Sequence, residues 1–242
     1  MTTETFMLYF IKCYNIKSMK PFFSIIIPTL NEEKFLPGIL KDLEKQKEKN
    51  FETIVVDSFS TDKTKQIALS FSKSLRLRFK QHREKKVAAQ RNNGAGLAKG
   101  GYLIFFDADV RVSPSFTKRA KRIVVKRKGL MFLPYVSPDN EHKQYEPLFD
   151  LVNLLVELSQ NLPKKFSLGG TMIIENDFFK LIGGFNEKLF ISEDHELLQR
   201  ASRWGIRVKF IKEMPLSIIF LIKIFGVSAI KFLHKFNNPI IL

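Results

Sequence analysis

Two aspartates, Asp107 and Asp109, directly follow the short apolar run 102–106 (YLIFF). A run of this length and composition is typical of a buried β-strand, so both carboxylates are expected where the chain leaves a sheet and can face one cavity. Mg²⁺ and Mn²⁺ prefer carboxylate oxygens and accept a diphosphate as a further ligand. The pair therefore predicts a divalent-cation site. The alternative is a solvated turn in which an aspartate caps the next segment.

Arg91 lies in residues 88–100 (AAQRNNGAGLAKG), just ahead of that strand. An arginine on a helix at this place could reach a diphosphate with its forked donors. The alternative is an ordinary surface arginine among the many basic residues of this region.

Glu193 and Asp194 open a predicted helix about 85 residues beyond the acidic pair. A carboxylate here could act as a general base that takes a proton from an acceptor hydroxyl. The alternative is that acidic residues only stabilise the N-terminus of the helix through its dipole. The neighbouring His195 is interpreted as a residue on the helix surface.

The elements that must position these residues are predicted from apolar periodicity. Strand and helix patterns alternate four times in about ninety residues, which favours a doubly wound, mostly parallel sheet. Ligands of such sheets bind beyond the carboxyl ends of the strands. Thr29, Asp57 and Asp107 all fall at predicted strand ends, so we expect them at one edge of the sheet.

The second half of the chain has a different pattern. It predicts strands at 131–136 and 207–211, helices at 148–158, 176–182 and 193–205, and a loop running into a strand over 166–174. We interpret 21–212 as one α/β domain with a nucleotide-binding half (21–128) and an acceptor half (129–212). Residues 1–20 are predicted to be a poorly ordered extension, with Met19 as an alternative start, and 213–242 a hydrophobic tail.

The charge of the chain is large and unevenly placed. Forty Lys and Arg against 24 Asp and Glu give +16, of which residues 62–128 carry +15. Such a field favours phosphate groups, polyanions or anionic lipid head groups, although a solvated lysine-rich surface would look the same. Nucleic acid is not the expected partner, because the acidic pair would repel a phosphate backbone. The single cysteine, Cys13, excludes an intrachain disulfide and a cysteine-based metal site, which agrees with a cytoplasmic location.

The tail contains an 18-residue apolar segment, 216–233, with Lys223 near its middle. A lysine at the centre of a membrane span costs about 2.5–3.5 kcal/mol on insertion scales. Several polar residues of the segment fall on one side of a helical wheel, so we expect a helix lying in the membrane interface, at the inner face of the cell membrane. A buried core helix is the alternative.

Six motifs in order resemble those of the family 2 inverting glycosyltransferases, which have the GT-A fold. They are 24–32 (SIIIPTLNE), 55–64 (VVDSFSTDKT), 89–94 (AQRNNG), 107–109 (DAD), 183–185 (GGF) and 193–194 (ED), within a similarity that spans roughly 22–211. The chain departs from the family pattern at Ser58, where a second acidic residue is common, and at Val110, where a further aspartate is common.

The resemblance implies an enzyme that moves a hexose from a UDP- or GDP-linked donor to the hydroxyl of a glycan or lipid-linked acceptor, in the synthesis of cell-envelope polysaccharide. It implies Mg²⁺ or Mn²⁺ as cofactor. The implied donor residues are Pro28, Thr29, Glu32, Asp57, Arg91 and Asp107, the metal ligands Asp107 and Asp109, the catalytic base Asp194, and the acceptor-side residues Gly170, Thr171 and Glu193.

Two other functions are compatible with parts of the sequence. The basic stretch would suit a nucleotide- or nucleic-acid-binding protein without transfer activity, whose binding to a nucleic-acid backbone would weaken steeply with salt. A sugar nucleotidyltransferase would need a glycine-rich, basic phosphate loop after the first strand. Residues 28–32 (PTLNE) stand there instead, which argues against that activity.

Overall fold

The computed structural model describes residues 21–138, 140–162, 165–167 and 171–218. The described strands are β1 (Phe23–Thr29), β2 (Phe51–Asp57), β3 (Leu77–Gln81), β4 (Tyr102–Phe105), β5 (Val110–Arg111), β6 (Met131–Pro138), β7 (Met172–Glu175) and β8 (Lys209–Ile218). The described α-helices are α1 (Leu36–Glu44), α2 (Thr64–Ser70), α3 (Val87–Leu97), α4 (Phe116–Arg127), α5 (Glu146–Ser159), α6 (Asn176–Leu181) and α7 (Glu193–Arg203). A 3₁₀ turn, Asn140–Tyr145, precedes α5.

One mixed sheet contains all of these strands, in the order β3-β2-β1-β4-β7-β6-β8-β5. The first four strands of the chain pair in parallel, with β1 between β2 and β4, which confirms the expected Rossmann-like half. β7 joins β4 antiparallel and continues the sheet into the second half of the chain. The two halves thus share one sheet, and the carboxyl end of β4 lies at its centre.

The central strands are apolar along their whole length because helices cover both faces of the sheet. Every residue of β1 and of β2 is buried. Alternate residues of β1 enter different layers: Ile25 and Ile27 pack with α1 and α4, whereas Ile26 packs with α3, α6 and α7. This is the two-sided burial that makes a parallel strand read as a continuous apolar run.

The end of the described chain differs from expectation. The last strand was predicted over 207–211, but β8 continues to Ile218 and pairs with both β6 and β5. Residues 213–218 therefore lie in the sheet and not in the predicted tail. The rest of the predicted interfacial segment and the N-terminal extension 1–20 fall outside the described residues. Within the described residues, no helix combines the length and the apolar character needed to cross a bilayer.

Helix α3 lies unusually close to the sheet at Gly94. A Cβ atom built at Gly94 would lie 2.5 Å from the Cγ2 atom of Ile26 and 3.2 Å from a Cγ2 atom of Val56. Two residues along the same helix, a Cβ at Gly96 would meet nothing within 4 Å. The absence of a side chain at residue 94 therefore sets how closely α3 approaches β1 and β2.

We expect Gly94→Ala to lower the free energy of unfolding by about 1–2 kcal/mol, because overpacking outweighs the gain in helix propensity. The matched control Gly96→Ala should be neutral or stabilising by up to about 1 kcal/mol. Urea denaturation of both variants checks this, and equal effects of the two substitutions would contradict the close approach.

Candidate active site

The carboxyl ends of β1 and β2 meet at Thr29 and Asp57, which are paired in register. The Thr29 hydroxyl donates to Oδ1 of Asp57 at 3.1 Å, and the Ser60 amide donates to Oδ2 at 3.0 Å. The Ser60 hydroxyl also donates to this carboxylate. Asp57, predicted from the sequence to bind the sugar donor, is completely buried. These hydrogen bonds fix its carboxylate at the carboxyl edge of the sheet. Pro28, one residue earlier, is buried within β1.

The loops that follow β1 and β2 are joined to each other by hydrogen bonds. The amide of Glu32 donates to the Thr64 hydroxyl at 2.8 Å, and the amide of Glu33 donates to Asp62 at 3.0 Å. Burial raises the pKa of Asp62, but hydrogen bonds from the hydroxyl and amide of Thr64 and from the amide of Glu33 lower it below its ordinary value overall. The half-buried Glu32 is thereby placed at the same edge as Thr29 and Asp57.

Arg91 is buried at the centre of the site, with 2% of its surface exposed. Its Nη2 donates to Oδ1 of Asp107 and its Nη1 to Oε1 of Glu193, both at 2.7 Å. Burial lowers the pKa of Arg91, but the charges of Asp107, Glu193 and Asp194 raise it above its ordinary value overall. The guanidinium therefore joins a carboxylate of the first half of the chain to one of the second half. Its predicted contact with a diphosphate stays a prediction.

Asp107 and Asp109 occupy the turn between β4 and β5. The side chain of Asp107 is 43% exposed, and Asp109 is half-buried. Within the part of the chain that is described, no group of three or more His, Cys, Asp or Glu side chains could hold a metal ion. Mg²⁺ sites commonly use one or two carboxylates and complete their shell with water and substrate phosphates. The carboxylates of Asp107 and Asp109 thus fit a cation whose other ligands are water and the phosphates of a bound diphosphate.

Asp194 is the second residue of α7 and is 7% exposed. The Ser167 hydroxyl donates to its Oδ2, and the amide of His195 donates to its Oδ1 at 2.9 Å. Ser192, with φ of 68°, turns the chain sharply into the helix. Glu193 and Asp194 are therefore presented at the helix start, and Arg91 connects Glu193 to Asp107.

The remaining acceptor-side predictions concern the loop before β7. Thr171 is 3% exposed, and its hydroxyl has no hydrogen-bond partner among the described residues. Gly170 lies outside the described residues. Phe190 and Ile191, just before α7, are 82% and 72% exposed. The predicted acceptor side thus contains the buried hydroxyl of Thr171 and an exposed apolar loop just before Glu193 in the chain.

Several residues of the site were not identified by the sequence patterns. Gln90 donates to the carbonyls of Thr29 and Val56, at 2.7 and 2.9 Å, and so ties α3 to the ends of β1 and β2. Asn92 donates to the carbonyl of Phe185 at 2.8 Å and accepts its amide at 2.8 Å. Both residues flank Arg91 in the motif AQRNNG, so the motif held the signal although no contact could be assigned from it.

Two protein-family models match this chain. The family model described as glycosyl transferase family 2 matches residues 24–182, well over half of the chain. The chain belongs to glycosyl transferase family 2. A second model, described as the N-terminal domain of galactosyltransferase, matches residues 153–223.

Curated relatives match parts of this family 2 chain. A PGL/p-HBAD biosynthesis glycosyltransferase of Mycobacterium tuberculosis is 43% identical over 91 residues, which are 37% of this chain and 36% of the relative. The poly(ribitol-phosphate) beta-N-acetylglucosaminyltransferase TarS of Staphylococcus aureus is 28% identical over 192 residues, covering 74% of this chain and 32% of the relative. The chain therefore spans about a third of the length of these relatives.

Solved structures confirm the GT-A fold. Residues 1–349 of S. aureus TarS align with a TM-score of 0.69 at 24% identity, covering 92% of this chain and 67% of that one. A mannosyltransferase of Pyrobaculum calidifontis in complex with GDP-Man and Mn²⁺ aligns with a TM-score of 0.67 at 18% identity, covering 87% of this chain and 63% of that one.

We expect Arg91→Met to lower the free energy of unfolding by about 3 kcal/mol, since removing one partner leaves buried carboxylates uncompensated. This loss of stability is at the low end for a buried ion pair because the side chain of Asp107 is partly exposed to solvent. The control Lys121→Met breaks the more exposed pair with Glu48, whose side chains are 25% and 31% exposed, and should cost about 0–1 kcal/mol. Urea denaturation at neutral pH checks both values, and similar losses would mean that Arg91 is not the central ion-pair residue.

Proposed function

We propose that this chain is an inverting glycosyltransferase that moves a hexose from a nucleoside-diphosphate sugar to an acceptor hydroxyl with the help of a divalent cation. The observation that carries the proposal is the Arg91 bridge, with 2.7 Å contacts to Asp107 and to Glu193. It brings the predicted donor and metal residues together with the predicted base, Asp194. Membership of glycosyl transferase family 2 supports the same reaction class.

The proposed reaction is a single displacement. Asp194 takes the proton of the acceptor hydroxyl as the oxygen attacks the anomeric carbon. Because attack comes from the face opposite the diphosphate, the configuration at that carbon inverts. When bound, a divalent cation would neutralise the charge that develops on the leaving diphosphate. Asp107 and Asp109 are the residues proposed to hold it, and Glu193 lies on the acceptor side.

The proposed donor residues follow the carboxyl edge of the sheet. Thr29, Asp57 and Glu32 are proposed to hold the base and ribose. The half-buried Glu32 would do so by direct contact, and the buried Thr29 and Asp57, with Pro28, by fixing the strand ends. One structure of TarS contains UDP-GlcNAc, and the mannosyltransferase structure contains GDP-Man. These structures support a UDP- or GDP-linked donor for this chain, and sugars of both nucleotides belong in a test of donor use.

For the acceptor, we propose a lipid-linked or cell-envelope glycan, used at the inner face of the cell membrane. Helix α5 and the turn after it expose a stripe of leucines at three- and four-residue spacing: Leu148, Leu151, Leu155, Leu158 and Leu162. Phe190 and Ile191 are also exposed, and exposed apolar surface of this kind is typical of sites that bind a protein or a lipid, which supports a lipid-linked acceptor. The relative TarS is a poly(ribitol-phosphate) beta-N-acetylglucosaminyltransferase, which supports an envelope polymer as an alternative acceptor of the same site.

A hydrolysis screen tests the proposed function. The full chain is incubated with a panel of UDP- and GDP-sugars, with and without Mn²⁺, and free nucleotide is measured. We expect one donor to be hydrolysed only with the cation, and Asp109→Ala to lower that rate on the order of 100-fold or more. Asp150→Ala, an exposed aspartate of α5, is the control and should keep the rate. Hydrolysis of no donor would favour the binding-only function instead.

Asp194→Asn tests the catalytic base. We expect the transfer rate to fall by about 10²–10⁴-fold, because the amide cannot accept the proton, while donor affinity stays unchanged. Asp177→Asn removes an acidic residue from the first turn of α6 and controls for a helix-dipole role. Calorimetric titration of the donor and the transfer rate are measured for both variants. Normal turnover in Asp194→Asn would overturn the assignment.

A further inference from the structure

The carboxylate of Asp194 has both of its oxygens occupied by donors of this chain. The Ser167 hydroxyl donates to Oδ2, and the His195 amide donates to Oδ1 at 2.9 Å. Ser167 and Asp194 are 6% and 7% exposed. These two donors, one on each oxygen, restrict the orientation in which the carboxylate meets an incoming hydroxyl.

A second hydrogen bond joins the His195 side chain to the backbone of Ser167. The Nε2 atom of His195 lies 2.9 Å from the carbonyl oxygen of Ser167, and because a carbonyl can only accept, Nε2 must carry the proton. The ring of Phe166 meets the His195 ring edge-on, with centroids 5.8 Å apart. Segment 166–167 is therefore fixed to the first turn of α7 by two hydrogen bonds and a ring contact, although 27 residues separate Ser167 from Asp194.

We infer that Ser167 is a positioning residue that sets the rotation of the Asp194 carboxylate, and that the His195 side chain keeps Ser167 in place. The inference rests on the proposed function, since it requires that Asp194 accept a proton from the acceptor. The terminal torsion of aspartate is broad and weakly restrained. Small errors in the placement of a reacting group lower rates strongly, so a carboxylate that loses the Ser167 hydrogen bond would react more slowly.

The chain also offers a matched control for a merely structural hydrogen bond. Ser24 donates from its hydroxyl to Oε1 of Glu52 at 2.6 Å, and both residues are buried. This pair joins the amino ends of β1 and β2, at the edge of the sheet opposite Thr29 and Asp57. It has the same chemistry as the Ser167–Asp194 pair and no place in the proposed reaction.

The experiment compares Ser167→Ala, Ser167→Thr and Ser24→Ala in the full chain. We expect Ser167→Ala to lower kcat for transfer on the order of 10- to 100-fold with the KM of the donor unchanged. Ser167→Thr keeps the hydroxyl and should restore most of kcat. Ser24→Ala should lower the thermal midpoint but leave kcat of the folded enzyme unchanged. His195→Gln keeps a donor for the Ser167 carbonyl and should retain more activity than His195→Ala.

A double variant separates this inference from the proposed function. In the Asp194→Asn background, Ser167→Ala should cause no further loss of transfer, because the two residues act through one group. A normal kcat for Ser167→Ala, or failure of Ser167→Thr to restore it, would overturn the positioning role while wild-type transfer stands. Absence of transfer by the wild type, or normal transfer by Asp194→Asn, would instead overturn the proposed function. Should Ser167→Ala fail to fold, Ser167→Cys gives the same comparison with a weaker donor.

Discussion

The buried guanidinium of Arg91 is the interaction on which the site depends. Removing an arginine from water is costly unless its donors are paired, and here Asp107 and Glu193 pair Nη2 and Nη1 at 2.7 Å each. The buried Nε has no hydrogen-bond partner among the described residues. Asp107, Glu193 and Asp194 carry like charges, and the guanidinium compensates them. The arginine therefore allows the carboxylates of the two halves to lie close together before any substrate is bound.

Helix α3 can deliver that guanidinium because three consecutive residues point in three directions. Successive residues of an α-helix are rotated by about 100°, so Gln90, Arg91 and Asn92 together cover roughly 200° of the helix surface. Gln90 contacts the ends of β1 and β2, Arg91 the two carboxylates, and Asn92 the loop at Phe185. The close packing of Gly94 against Ile26 fixes the depth of the helix. One short segment thus aligns the ends of β1 and β2, the two carboxylates and the loop at Phe185.

The sequence predicted the local elements better than the contacts between them. The apolar runs of β1, β2 and β4 are buried strands, as their composition indicated, because both faces of the sheet are covered. Helix α4 was missed because its apolar residues are interrupted by many cations, although Phe116, Ala120, Ile123 and Val124 form a buried face. Strand β8 was cut short because an apolar strand and the start of an apolar tail look alike in sequence.

In the site, too, the sequence predicted local positions better than long-range contacts. Thr29, Asp57 and Asp107 were placed at one sheet edge by the rule for parallel strands, without any long-range information. By contrast, the pairing of Arg91 with Glu193 spans 102 residues, and Ser167 with Asp194 spans 27. No periodicity encodes such distances. Serine and glutamine also occur in so many turns and helix surfaces that their types alone do not mark Ser167 or Gln90.

The basic stretch 62–128 illustrates how a linear count overstates an electrostatic field. Five of its cations form ion pairs within the described residues, and all but one of their acidic partners lie outside the stretch. The pairs are Arg78 with Glu52, Arg91 with Asp107 and Glu193, Arg111 with Asp42, Lys121 with Glu48 and Arg127 with Glu213. The five partners outside the stretch offset about a third of its +15, and a net charge of about +10 remains. The stretch therefore still favours phosphate groups, and the exposed apolar surface of α5 is a separate feature that its charge does not explain.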